Sequence, residues 1–180
     1  MHLPEFEYLA PENTSELAAL LADHGDRARI LSGGTDLLVQ MKAPGLRPDY
    51  VIDISGLEEL NGISYDERQG LVIGSAAKFD TILDMPVVKE KYRSLWQSIE
   101  TIGARQIRTM GSLGGNLCNA SPAADTPPAL VALSAEVTIA NGDKDHNMPL
   151  VEFIQGNRKT ALEKGEYLKS ITVPVPANNS

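Results

Sequence analysis

The chain has 180 residues with 24 acidic against 16 basic side chains, a formal net charge of −8; that length suits one substantial core or two small lobes sharing a ligand, and the acidity argues against a nucleic-acid surface. A single cysteine, Cys118, excludes an internal disulfide and cannot hold an iron–sulfur cluster or structural zinc, and His2, His24 and His146 stand at no metal-ligand spacing, so no metal is expected. No apolar run approaches the roughly 20 residues that span a bilayer, and residues 1–5 do not read as a signal peptide, which together predict a cytoplasmic chain without a membrane span.

In chain order, a short apolar entry at residues 6–9 precedes Asn13 and Glu16, whose spacing is that of a capping box for a helix through Leu17, Leu20 and Leu21, ended by Gly25. Residues 29–32 read as a short buried strand. It runs into Gly33, Gly34, Thr35 and Asp36, after which Leu37, Leu38 and Met41 recur at helical spacing until Pro44. A strand, two glycines, a hydroxyl and a helix make a candidate anion site, with Thr35 able to cap the helix or bond a phosphate oxygen. Residues 50–54 read as a strand, and residues 62–65 and 71–75 as a hairpin around 66–70. Residues 78–83 and 94–102 are expected to be helical, with Leu95, Ile99 and Ile102 on one face and Trp96 in the core or between lobes.

The central run follows. Gly111, Ser112, Leu113, Gly114, Gly115 and Asn116 read as a glycine loop whose amides point into one concavity, helped by φ > 0, with Asn119, Ser121 and Asp125 adding small polar groups. On this reading Gly114→Val fills the phosphate path and spares the core. Neither glycine run matches the Gly-x-Gly-x-x-Gly or P-loop fingerprint. Two amide-rich loops in one chain point to a ligand with two linked phosphates, such as a dinucleotide cofactor. Beyond the run, residues 122–133 suit a helix with Asp125 in its first turn, 135–140 a strand, 141–143 a turn, 148–154 a resumed apolar pattern, and 166–174 the last strand.

Arg105 and Arg108 are open to three roles: facing an electron carrier, binding phosphate, or lying solvated on the surface. Asp125 either accepts ribose hydroxyls or complements a helix N-terminus. Cys118 has no histidine near it in sequence and reads as a packed residue rather than a nucleophile. No Ser-His-Asp set and no carboxylate pair stands out, so no catalytic side chain is nominated. A chain with cofactor-style loops and no evident catalytic groups fits chemistry carried by the cofactor, and a flavin dinucleotide meets that description.

These residues resemble the FAD-binding flavoprotein (medium) subunits and domains of the molybdenum hydroxylases, of the xanthine dehydrogenase and aerobic carbon monoxide dehydrogenase type. Ile30, Leu31, Ser32, Gly33, Gly34, Thr35, Asp36 and Leu37 resemble the first FAD segment of that family. Ser112, Leu113, Gly114, Gly115 and Asn116, continuing to Asp125, resemble the second, and further matches run through 51–54, 73–76, 103–108, 156–160 and 166–171. The resemblance implies an α+β, two-lobed FAD-binding domain over residues 1–180: a small N-terminal lobe of parallel strands (1–55), a larger lobe with a mixed or antiparallel sheet and helices (56–180), and absence of the usual C-terminal domain. It implies FAD contacts at both segments, with Ile102 in place of an aromatic at a flavin-contacting position, Asp125 on the dinucleotide and Leu168 near the isoalloxazine. It also implies electron transfer from [2Fe-2S] clusters and molybdopterin, carried by partner iron–sulfur and molybdopterin subunits, through FAD to NAD or another acceptor. Two other readings stand beside it: an assembly module that has lost FAD, and a free-standing flavin reductase of the same fold group.

Overall fold

The computed structural model describes residues 2–142 and 144–176. Asp143 of the expected turn lies outside them. The first third of the chain winds as β1 (Glu7–Leu9), α1 (Thr14–His24), β2 (Ala28–Leu31), α2 (Leu37–Lys42) and β3 (Tyr50–Asp53). Its strands form a three-stranded parallel sheet in the order β1-β3-β2, as two strand–helix–strand crossovers require. The Asn13 side chain accepts from the Glu16 amide at 2.9 Å, and Glu16 reaches back to the Glu12 amide at 2.7 Å, so α1 starts where the capping pattern puts it. Gly25 ends it at φ +52, a conformation costly for any residue with a Cβ. β2 is less buried than its apolar letters suggest: Ala28 is enclosed, Arg29 exposed, and Ile30 and Leu31 only half covered.

The rest of the chain adds α3 (Glu58–Asn61), β4 (Ile63–Asp66), β5 (Gly70–Gly74), α4 (Phe79–Leu83), α5 (Pro86–Lys91), α6 (Arg93–Glu100), α7 (Arg105–Met110), α8 (Leu113–Asn119), α9 (Thr126–Ala132), β6 (Glu136–Ala140), β7 (Asp145–Pro149), α10 (Leu150–Phe153), β8 (Ile154–Gly156), β9 (Lys159–Thr160) and β10 (Tyr167–Val173). Five of these strands pair antiparallel in the order β4-β5-β10-β6-β7, with the seven-residue β10 in the middle. The β4–β5 hairpin is turned by Asp66, whose carboxylate accepts the Arg68 and Gln69 amides; those bonds hold its carboxyl below the usual range. α9 starts at Thr126, four residues later than residues 122–133 predict, because Ser121 draws 121–124 into a turn by accepting the Ala123 and Ala124 amides.

Two apolar clusters hold the chain. The larger packs α4, α6, α8 and α9 on the five-stranded sheet through fully buried Leu71, Ile73, Leu95, Ile99, Leu113, Leu117, Leu130, Val137 and Ile171, each contributing roughly 1.5–3 kcal/mol. Trp96 edges this core, its indole N–H donating to the Leu83 carbonyl at 3.3 Å. The smaller packs α1 on the parallel sheet with Leu17, Leu21, Ile52 and Leu60, and it continues into Ala140 and Tyr167 of the second sheet. The two sheets therefore share packing along one side, and a cleft opens between them.

Candidate functional site

The cleft has a volume of about 670 Å³, inside the range of about 300–1,000 Å³ typical of ligand and cofactor sites. One wall is the turn between β2 and α2, the other is α8, and β10 with the α6–α7 connection closes the back. The two glycine runs are thus brought together. A methyl built on Gly33 would lie 1.9 Å from the Met110 carbonyl oxygen and 2.8 Å from the Gly111 Cα. Only a residue without a Cβ lets these backbones approach so closely.

The turn at residues 33–36 carries unspent donors. Gly34 adopts φ +72, and its carbonyl accepts the Leu38 amide at 3.1 Å to start α2. The amides of Gly33, Gly34, Thr35 and Asp36 donate to no acceptor among the described residues. The cap of α2 is Asp36 rather than Thr35, and its side chain makes no capping bond. Successive free amides lining a cleft are what an anion needs.

The second run differs from its expected form. Leu113, Gly114, Gly115 and Asn116 are the first turn of α8, and Gly111, Gly114 and Gly115 do not use positive φ. Their amides are consumed inside the protein: Leu113 donates to Ala77 at 3.1 Å, Gly114 to Ser75 at 3.0 Å, Gly115 to the Ser112 hydroxyl at 3.2 Å and Asn116 to the Ser112 carbonyl at 3.1 Å. Glycine serves packing here. A Cβ on Gly114 would lie 2.5 Å from the Ser75 carbonyl oxygen, whereas one on Gly115 meets only the Ser112 hydroxyl, at 2.9 Å. Gly114→Val therefore strikes the Ser75 backbone, contrary to the expectation that it spares the core.

Ile30, Ser32, Gly33, Gly34, Thr35, Asp36, Leu37, Ile102, Ser112, Gly114, Gly115, Asn116 and Leu168 all line the cleft. Leu31, Leu113 and Asp125 do not. Leu113 is fully buried in the larger core, Leu31 packs by the Gly34 turn, and Asp125 is exposed ahead of α9 without a capping bond. The Asn116 side chain is turned to structure: its oxygen accepts the Thr126 hydroxyl at 2.6 Å, tying α8 to α9. The two arginines part company. Arg105 is largely solvated beside Asp80, whereas Arg108 is mostly buried and donates to the Glu100 and Ile102 carbonyls at 3.2 and 3.1 Å, fixing the end of α6 and with it Ile102.

Asn119, expected among the small polar groups of the second run, does line the cleft, but sequence reasoning missed Ser75, Phe79, Ile107 and Arg158. Arg158 sits at φ +57 in the β8–β9 hairpin, donates its amide to Ala120 at 2.9 Å and bonds Asn119 through its guanidinium; Asn119 also accepts from Gln40 of α2 at 3.0 Å. Those contacts join segments far apart in sequence, which no local pattern announces. Cys118 is exposed on the cleft, and desolvation by the neighbouring protein pushes its thiol up to about 12. A thiol held that high supplies no thiolate near neutral pH. Below the first turn, Asp53 accepts the Tyr8 hydroxyl at 2.7 Å and the Ser55 amide at 2.8 Å. Burial opposes its charge, but these bonds and the nearby Lys78 outweigh it and hold the carboxyl below the ordinary aspartate range.

Free amides for a phosphate and apolar walls at Ile30, Phe79, Ile102, Ile107 and Leu168 for flat rings form a donor set that fits a dinucleotide. Comparison with known proteins agrees. The family described as "FAD binding domain in molybdopterin dehydrogenase" matches residues 4–176. The chain is 35% identical over 175 residues to the glyceraldehyde dehydrogenase medium chain of Sulfolobus acidocaldarius, covering 97% of this chain and 62% of that one. It is 32% identical to the carbon monoxide dehydrogenase medium chain of Hydrogenophaga pseudoflava, covering 98% and 61%. Among solved structures, the reconstituted CO dehydrogenase from Oligotropha carboxidovorans superposes with a TM-score of 0.94 at 29% identity, covering 98% of this chain and 62% of that one. The chain thus spans about three fifths of the length of the curated relatives it matches. Among the described residues, no helix is long and apolar enough to cross a membrane.

Proposed function

This chain belongs to the family of FAD-binding domains found in molybdopterin dehydrogenases, and from that premise we propose that it is the flavin-holding, electron-transferring part of a molybdenum hydroxylase complex. The observation that carries the reading is the meeting of the two glycine segments on one cleft, one with its amides free and the other with its helix packed tight. Residues 33–36 would hold the diphosphate through main-chain donors, Gly115 would leave the facing wall low, and Ile102 and Leu168 would offer apolar surface to the rings. Bound FAD would supply the redox chemistry, accepting and releasing electrons singly or in pairs. The chain's own residues would orient it, with Phe79 and Ile107 adding apolar surface to the cleft.

The proposal extends to partners and setting. Electrons would come from a separate iron–sulfur subunit fed by a molybdopterin subunit, and would leave to NAD or another acceptor, in the cytoplasm. We also propose a division of labour at residue 55. The parallel sheet draws its strands from residues 7–53 and the antiparallel sheet from residues 63–173, which supports a small lobe before and a larger lobe after that point.

The test is direct. Protein incubated with FAD and desalted should retain flavin absorbance at one FAD per chain, with a matching calorimetric stoichiometry; a colourless protein with a flat titration contradicts the reading. Reoxidation of the dithionite-reduced, FAD-loaded chain by NAD, against a ferricyanide control, decides the acceptor.

A further inference from the structure

Lys78 is not part of the cleft wall, yet it connects the two segments that form it. Its backbone bridges to Ser112, the residue that caps α8, and its side chain crosses to Ser32 in the first turn, with Nζ 3.5 Å from Oγ. The two contacts link positions 46 and 34 residues away along the chain (78 less 32, and 112 less 78). Burial is only partial, but it works against the charge and lowers the lysine from its usual range, with Asp53 pulling the other way.

The hydrogen bonding around this ammonium is incomplete. An ammonium has three donors, and among the described residues Ser32 is the acceptor that takes one. Asp53 attracts Lys78 without closing an ion pair with it. That carboxylate is instead engaged by the Tyr8 hydroxyl and the Ser55 amide. Ser32 is half-finished in the complementary sense. A hydroxyl has a single proton; with its oxygen turned to Lys78, that proton is free to donate, and Ser32 lines the cleft beside the free amides of residues 33–36.

We propose that Lys78 is a positioning residue for the cofactor's diphosphate: it fixes the Ser32 hydroxyl as a donor continuous with the amides of residues 33–36, and it sets a positive charge behind that turn in a chain of net charge −8. The inference rests on the FAD reading above and adds a specific role for this chain's lysine. It explains why a lysine is kept half-buried at the junction of the two glycine segments, where a neutral residue would be easier to desolvate.

The experiment measures the FAD dissociation constant for the wild-type chain, Lys78→Met, Ser32→Ala, the double variant and Lys78→Arg, with Lys78→Gln as a second neutral variant. Thermal unfolding of each ligand-free protein establishes that it is folded. Lys78→Met and Lys78→Gln are expected to weaken FAD about tenfold and Ser32→Ala about fivefold, sizes expected of a hydrogen bond to a charged group. The double variant should be no weaker than about tenfold, because the lysine acts through the serine and the two losses overlap. Lys78→Arg should stay within about threefold of wild type, and added salt should weaken FAD less in Lys78→Met than in wild type. Multiplying losses in the double variant, or neutral variants that bind as tightly as wild type, overturn the proposal. A wild-type chain that takes up no FAD overturns the underlying reading and this inference with it.

Discussion

The turn at residues 33–36 and the helix start at residues 112–116 contain similar kinds of residue, two adjacent glycines beside a hydroxyl and another small polar side chain, and they face one another across a cleft. They use those residues in opposite ways. In the first, Gly34 at φ +72 bends the chain so that successive amides are left without protein acceptors. In the second, the amides of residues 113–116 are spent on Ala77, Ser75 and Ser112, and Gly114 exists to let α8 lie against the Ser75 backbone. One segment is built to donate and the other to fit. Small-residue composition alone does not distinguish an anion cradle from a packing seam; the distinction lies in where the amide bonds end.

This contrast can be broken by substitution. The largest effect belongs to Gly33→Ala, whose methyl would meet the Met110 carbonyl at 1.9 Å, backbone against backbone. It should cost about 3 kcal/mol in chemical denaturation and part the two segments. Gly114→Ala comes next at about 2 kcal/mol, the clash with Ser75 outweighing the helix propensity gained. Gly34→Ala should cost about 1 kcal/mol, since alanine is strained at φ +72. Gly115→Ala sharpens the comparison. With only the Ser112 hydroxyl in the way, its stability should stay within about 0.5 kcal/mol of wild type, while FAD affinity measured by flavin quenching falls about tenfold. Equal stability losses at Gly114 and Gly115 would erase the distinction.

The smallest effect concerns the support beneath the first turn. Asp53 is held below the ordinary value of about 3.9 by its hydrogen bonds, against the pull of burial. Its contribution is therefore complete above that value and is lost as pH falls through the lowered folded value. Tyr8 is raised, first by its bond to Asp53, so its share is present below its ordinary value and lost as pH rises through the raised one. Tyr8→Phe should lower the midpoint of thermal unfolding slightly at pH 7, and the difference from wild type should shrink as the pH falls below the ordinary aspartate value and vanish once it is below the lowered folded value of Asp53. A difference that persists in acid contradicts the assignment.

Much of the architecture was legible in the residues because local chemistry decides it. Asn13 with Glu16 marks the start of α1, Gly25 marks its end, and Asp66 turns the β4–β5 hairpin. The strand at residues 50–53 and the long β10 follow from their apolar, β-branched runs. The second glycine segment reads as a loop in sequence because Gly114 and Gly115 oppose a helix on propensity, roughly 1 kcal/mol each. What overrides them is tertiary: Leu113 and Leu117 are fully buried and Ser112 caps the helix from outside. Short helices such as α3, α5 and α7 offer too little periodicity to show in sequence. The roles of Arg108, Asn119, Arg158 and Lys78 depend on partners distant along the chain, so residue type could not give them.

The central claim is that the free amides at residues 33–36, rather than the helix start across the cleft, receive the diphosphate. Residue-resolved amide hydrogen exchange with and without FAD tests it most directly. FAD should slow exchange strongly at residues 33–36 and leave residues 113–116, already bonded within the protein, nearly unchanged. Protection gained at 113–116 with none at 33–36 would contradict the account.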